Sequence, residues 1–113
     1  DAPCSGLGTL RRHPEIRWRI TEDDIAGLAL LGAQLLISAS RHVAPGGLLT
    51  YATCTIARME NEVVVEKFLA SPYGRDFTVV ESGISEDCPS FFKTSLKENA
   101  CDAHFAARLM RNA

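Results

Sequence analysis

The sequence predicts an α/β fold, a sheet with flanking helices. Three observations carry this. An amphipathic helical stripe begins near Thr21 and is stopped by Ala44-Pro45-Gly46-Gly47. A nearly continuous apolar run from Leu48 to Cys54 follows directly. A second helical pattern then leads into another strand, so helices and strands alternate along the chain. The length of 113 residues suits one domain, and a hydrophobic content of 46% is enough for a core.

Residues 1 to 20 read as a loop, punctuated by Pro3, Gly6, Gly8 and Pro14. The chain opens on Asp-Ala-Pro-Cys-Ser-Gly with no lead-in strand or cap, as in a segment of a longer domain. Thr21 then suits an N-cap, and Glu22, Asp23 and Asp24 put negative charge on the first helical turn, where the macrodipole favours it. Ile25, Leu28, Ala29, Gly32, Leu35, Leu36, Ala39 and Val43 recur at helical spacing, with Arg41 and His42 at the C-terminal end. The apolar run 48–54 reads as a strand covered on both faces. A second helix is expected over Glu60 to Ala70, with Val64, Val65, Phe68 and Leu69 inward, ended by Ser71-Pro72-Tyr73-Gly74. Phe77 to Glu81 reads as a strand. Residues 82 to 100 are loop-rich around Cys88-Pro89 and Ser90-Phe91-Phe92, and the last strand is His104 to Met110. There is no internal repeat.

Charge and cysteine usage narrow the function. A net charge of −2 argues against a generally basic nucleic-acid binder. Arg11, Arg12, Arg17 and Arg19, with His13 among them, form a local basic cluster that can meet phosphates but on composition alone reads more readily as a solvated loop. The longest apolar run, Leu28 to Ile37, is interrupted by Gly32 and Gln34, so no membrane span is expected. No signal-peptide pattern opens the chain, and a cytoplasmic location is the expectation. None of the four cysteines, Cys4, Cys54, Cys88 and Cys101, forms a C-x-x-C pair. Neither a zinc knuckle nor a thioredoxin-like motif is expected, no metal site is assigned, and the thiols are expected to be free.

In open α/β sheets, ligands bind beyond the carboxyl ends of strands, where Cys54 falls. A strand preceding residue 1 would bring Asp1 to Cys4 to the same crevice, so that two thiols converge. Taken alone, Cys54 reads more readily as an inert core residue.

The surrounding residues decide between these readings. Asp1-Ala2-Pro3-Cys4-Ser5-Gly6 with Arg11-Arg12-His13-Pro14, and Tyr51-Ala52-Thr53-Cys54-Thr55 with Glu60-Asn61-Glu62, resemble the Sun/Fmu family of rRNA cytosine-5 methyltransferases. The resemblance continues to Asp102-Ala103-His104-Phe105-Ala106-Ala107-Arg108-Leu109. Two positions depart from the family pattern. Arg58-Met59 stand where a proline is usual, and D-A-H-F replaces a frequent D-G-F-F; neither touches a reacting group.

The resemblance implies the C-terminal half of a Rossmann-like methyltransferase sheet, with the cofactor-binding half absent. It implies Cys54 as nucleophile, Cys4 as the residue of product release and Asp1 as a contact to the target base. It also places Asp1 and Pro3 at the edge of an S-adenosylmethionine site, and Arg11, Arg12 and His13 toward RNA, with rRNA the expected substrate. Ser5, Gly6 and Gly8 would allow close backbone approach to a ligand. Gly6-x-Gly8 and Gly46-Gly47 follow no strand and do not replace the missing glycine-rich cofactor loop. The isolated chain is therefore expected neither to bind the cofactor well nor to methylate RNA, and to self-associate through the open edge of strand 48–54. Rival readings are a non-catalytic RNA-binding or scaffolding domain that keeps the fold, a cysteine hydrolase using His13 or His42, and a DNA methyltransferase. The last resembles a pattern in which the Pro-Cys cysteine is itself the nucleophile. His104, Cys88, Cys101, Trp18 and Phe91-Phe92 are read as structural.

Overall fold

A computed structural model describes residues 1–81 and 90–113 of the protein. A two-layer α/β arrangement places a helical pair on one face of a small sheet. The expected Cys88-Pro89 turn lies outside the described residues.

The N-terminal loop is more ordered than its composition suggests. It contains a 3-10 turn at Leu7–Thr9 and a short helix α1, Ile16–Arg19. Helix α2, Glu22–Ser40, starts where Thr21 predicts, with a full capping box between Thr21 and Asp24. It stops at Ser40, so Val43 lies in the following turn. Gly32, Leu36 and Ser40 form its buried line, whereas Leu35, expected inward, is exposed. Strand β1, Leu48–Thr53, follows, then a 3-10 turn at Arg58–Glu60 and helix α3, Glu62–Ala70. The second helix thus begins two residues later than its pattern implies. Val64, Val65 and Phe68 are buried and Leu69 is half-buried. Strand β2 is Phe77–Val80. The span read as loop also holds a two-residue strand β3, Phe92–Lys93, and a short helix α4, Leu96–Asn99. Strand β4, Phe105–Arg111, is the last element.

Strand β4 organises the sheet. It pairs antiparallel with β1 on one side, Leu49 opposite Leu109 and Tyr51 opposite Ala107. On the other side it pairs antiparallel with β2, Val79 opposite Leu109, and further along with β3, Phe92 opposite Ala106. β1 and β2 therefore run in the same direction with β4 between them. The alternation of β4 follows from the period of two: Phe105, Ala107 and Leu109 are buried, while Arg108 and Met110 are exposed. Leu36, Tyr51, Val64, Val65, Phe68 and Phe77 complete the core between helices and sheet.

This corrects the reading of β1 as covered on both faces. Tyr51 and Thr53 face the helices, but Leu48 and Thr50 are exposed, because no described element lies against the second face of the sheet. Among the described residues, the outer edge of β1 is covered only at its carboxyl end. There the Ala2 amide donates to the Ala52 carbonyl and the Gly8 amide to that of Cys54. By alternation the backbone groups of Leu48 and Thr50 point to this same side. A second correction concerns α2. Its 19 residues are long and apolar enough, by length and composition, to cross a membrane despite Gly32 and Gln34. Three acidic residues fill its first turn, and its Leu36 joins the core beside Tyr51 and Val64, which marks it as a layer helix.

Candidate active site

The site is built where the N-terminal loop crosses the carboxyl end of β1. Gly8 makes the crossing possible. Its amide donates to the Cys54 carbonyl, and its own carbonyl accepts from Ala103 at the entry to β4. A Cβ at this position would sit 2.1 Å from the Ala103 oxygen and 2.7 Å from that of Cys54. The close approach expected of Gly8 is thus to the protein's own backbone, and Ser5 is likewise buried in the frame.

Crossing in this way, the loop brings Cys4 Sγ to 3.3 Å from Cys54 Sγ. The two thiols that sequence reading converged are in contact, both free and both partly exposed. The Cys54 thiol is pushed up to about 11, first by burial, then by the hydrogen bond and charge of Cys4, with the Glu60 carboxylate adding to the effect. At neutral pH it is protonated, so it must lose its proton before it can act as a nucleophile.

Behind the thiols lies a polar frame that single-residue reading missed. Glu60 is buried, at 1% exposure. Its Oε1 accepts from the Ser5 amide at 2.7 Å, and its Oε2 from the Ser5 hydroxyl at 2.7 Å and the Thr55 hydroxyl at 2.8 Å. The Tyr51 hydroxyl donates to the Glu60 carbonyl at 2.6 Å. Asn61 holds the other side: its Oδ1 accepts from the Thr53 hydroxyl and its Nδ2 donates to the Thr55 carbonyl. Glu62 pairs with Lys93. The Glu60-Asn61-Glu62 motif was visible in the sequence, but only as a match. A buried carboxylate in a loop has no periodic signature.

The remaining candidates are dispersed. Asp1 is exposed and borders a groove of about 150 Å³, shared with Ala2, Leu35, Leu49 and Thr50. Pro3 is exposed. That groove falls below the roughly 300 Å³ of small-ligand pockets, so Asp1 could line only the edge of an S-adenosylmethionine site. Arg12 Nε lies 2.6 Å from Asp102 Oδ2, and Arg11 reaches the other oxygen at 3.4 Å. Burial pushes the Asp102 carboxyl up, but the Arg12 hydrogen bond and the charges of Arg12 and Arg11 outweigh it and hold it below its ordinary value. Both guanidiniums stay about half exposed, as does His13 beside Glu15.

Trp18, read as a packing residue, is 80% exposed, with the Arg17 guanidinium 5.1 Å from its ring centre. A four-residue helix with no buried position has no face to hide it. A cleft of about 370 Å³ opens beside the end of β1, lined by Thr55, Asn61, Lys93 and His104 among others; neither cysteine lines it. His104 is exposed there.

The chain matches known proteins along nearly its whole length. Residues 1–110 match the family described as 16S rRNA methyltransferase RsmB/F. The ribosomal RNA small subunit methyltransferase B of Erwinia tasmaniensis is 46% identical over 83 residues, covering 74% of this chain and 19% of that protein. Its namesake from Thermus thermophilus is 49% identical over 70 residues, 62% of this chain and 18% of that protein. The chain thus spans about a fifth of the length of these curated relatives. Among solved structures, PH0851 superposes with a TM-score of 0.85 at 35% identity over 96% of this chain and 25% of its own. NSun6 from Pyrococcus horikoshii with SFG gives 0.82 over 100% of this chain and 29% of its own; at 23% identity it supports the fold alone.

Proposed function

Because the chain belongs to the 16S rRNA methyltransferase RsmB/F family, we propose that the whole protein methylates carbon 5 of a cytosine in ribosomal RNA through a covalent cysteine adduct. The observation that carries the reading is the contact between Cys4 and Cys54 at the end of β1.

Carbon 5 of cytosine is a poor nucleophile because the ring is aromatic. Cys54 loses its proton and its sulfur bonds to carbon 6, which moves the ring electrons onto carbon 5. In that state carbon 5 can take up a methyl group. Loss of the carbon 5 proton then restores the double bond, and the bond from sulfur to carbon 6 breaks. Cys4, touching the departing sulfur, is the residue proposed to serve this release. Asp1 is proposed to meet the base from the loop mouth, and Arg11, Arg12 and His13 to face RNA, with the target base unstacked so that a thiol reaches it. S-adenosylmethionine is the proposed methyl donor, and the isolated chain, about a fifth of the length of its curated relatives, is proposed to be inactive. Ribosomal RNA as substrate agrees with a cytoplasmic location.

The test uses a full-length protein carrying this chain, with Cys4→Ala, incubated with target RNA and the methyl donor and run on a denaturing gel. A covalent protein–RNA adduct is expected, and it should vanish when Cys54→Ala is added. Intact methylation with no adduct would mean that the two thiols are assigned the wrong way round. Absence of both adduct and methylation, in the unmodified protein on every RNA tried, would end the catalytic reading.

A further inference from the structure

We propose that Glu60 is the positioning residue of the two-thiol site, holding the Cys4 turn and the end of the Cys54 strand in one frame and so setting the sulfur–sulfur contact. The thiol geometry stands apart from the proposed reaction; the consequence for product release rests on it.

Ser5 directly follows Cys4, and Thr55 directly follows Cys54. Both deliver their donors to one carboxylate: the Ser5 amide to Oε1, the Ser5 and Thr55 hydroxyls to Oε2. The two hydroxyl oxygens are themselves 2.9 Å apart. Two segments separated by 50 residues are thereby tied at the positions next to their sulfurs. The Tyr51 hydroxyl holds the Glu60 backbone carbonyl, and the three donors hold its carboxylate. Among the described residues no cation lies within ion-pair distance of Glu60, so Lys or Arg does not offset its burial; three charge-assisted hydrogen bonds do. An apolar residue of equal volume would fill the space at lower desolvation cost, but it would tie neither segment to the other.

Two substitutions separate reach from charge. In Glu60→Gln the amide oxygen can keep the Ser5 amide, while the amide nitrogen donates to hydroxyls that turn to accept; the tie survives without the charge. In Glu60→Asp the charge survives, but a side chain one methylene shorter cannot reach both segments. The probe is phenylarsine oxide, in which one trivalent arsenic exchanges its oxygen for the sulfurs of two thiols, whose protons leave with that oxygen as one water. It is titrated into this chain with Cys88 and Cys101 changed to Ser, folding being checked by circular dichroism. The bridged form requires adjacent sulfurs. Glu60→Gln is expected to bind within about threefold of the parent. Glu60→Asp is expected to lose roughly a hundredfold, the scale of a lost second attachment, and to approach the Cys4→Ala variant. Weakened binding by the Gln variant, or undiminished binding by the Asp variant, would overturn the proposal.

The same variants in the full-length protein give the link to release. Glu60→Asp should accumulate RNA adduct, with kcat reduced and KM for RNA unchanged, whereas Glu60→Gln, which keeps the tie, should accumulate no more adduct than the parent. If the arsenical pattern holds but no variant forms an adduct, the positioning stands and the reaction reading falls. If adduct forms in the parent and Glu60→Asp neither accumulates it nor loses kcat, the role in release is overturned.

Discussion

Cys54 carries the first consequence at the scale of a residue. Its thiol is raised to about 11 by burial and by Cys4, so little thiolate is present at pH 8. Removing Cys4 takes away both the neighbouring hydrogen bond and the neighbouring charge, and it opens the sulfur to water. All three changes favour the thiolate. Alkylation of Cys54 by iodoacetamide in the Cys4→Ala variant should therefore reach half-maximal rate at a lower pH than in the parent, read by mass spectrometry of the Cys54 peptide. An unchanged profile would show that the contact does not govern the thiol. Arg11 and Arg12 show the same dependence on a distant partner. Their place in a basic cluster is written in the sequence, but their engagement by Asp102, some 90 residues on, is not.

At the scale of the element, the segment around Gly8 joins loop, β1 and β4. Its amide and carbonyl bond to two different strand ends, and the contacts that a Cβ would meet are backbone atoms, which cannot swing aside as a long side chain can. Gly8→Ala should destabilise the fold by about 2 kcal/mol or more, the range of overpacked sites. It should also displace Cys54 and slow adduct formation. Urea unfolding and the gel assay read the two effects separately. Gly32 acts similarly inside α2, where a Cβ would meet the Tyr51 hydroxyl at 2.8 Å. A helix-interior glycine costs propensity; here it leaves space for the phenol that anchors Glu60.

Over the whole molecule, alkaline pH is the condition that tests the buried frame. Tyr51 and Cys54 ionise near 10 and 9 when free and near 12 and 11 in the folded protein. Burial comes first in both cases; then the Glu60 charge for Tyr51 and the Cys4 hydrogen bond for Cys54. Between these values the folded state holds protons that the unfolded state has released. Stability is thus complete below pH 9 and falls as pH rises through 11 and 12. The urea midpoint should drop over this range, and Tyr51→Phe should flatten part of the slope. A flat profile in the parent would mean that neither group is protected by folding. The same molecular scale shows, among the described residues, a sheet with one covered face and a β1 edge bonded only at its carboxyl end.

Much of this was legible in the linear chain. The capped helix α2, the strand at 48–53 and the inward line of α3 follow from periodicity and capping, which act between residues three or four apart. The two cysteine motifs made their convergence an expectation. Other features were decided by tertiary structure alone, because each depends on partners that no local pattern encodes. Antiparallel pairing places β4 between β1 and β2, and only that order shows which face of β1 is covered. Asp102 claims the arginines, Asp1 borders a groove beside α2 and β1, and Trp18 lies in the open. Glu60 reads in sequence as one acid in an acidic motif. It becomes the anchor of the site only when folding brings Ser5 and Thr55 to its two oxygens and removes it from water, where an unmet charge would be too costly to keep.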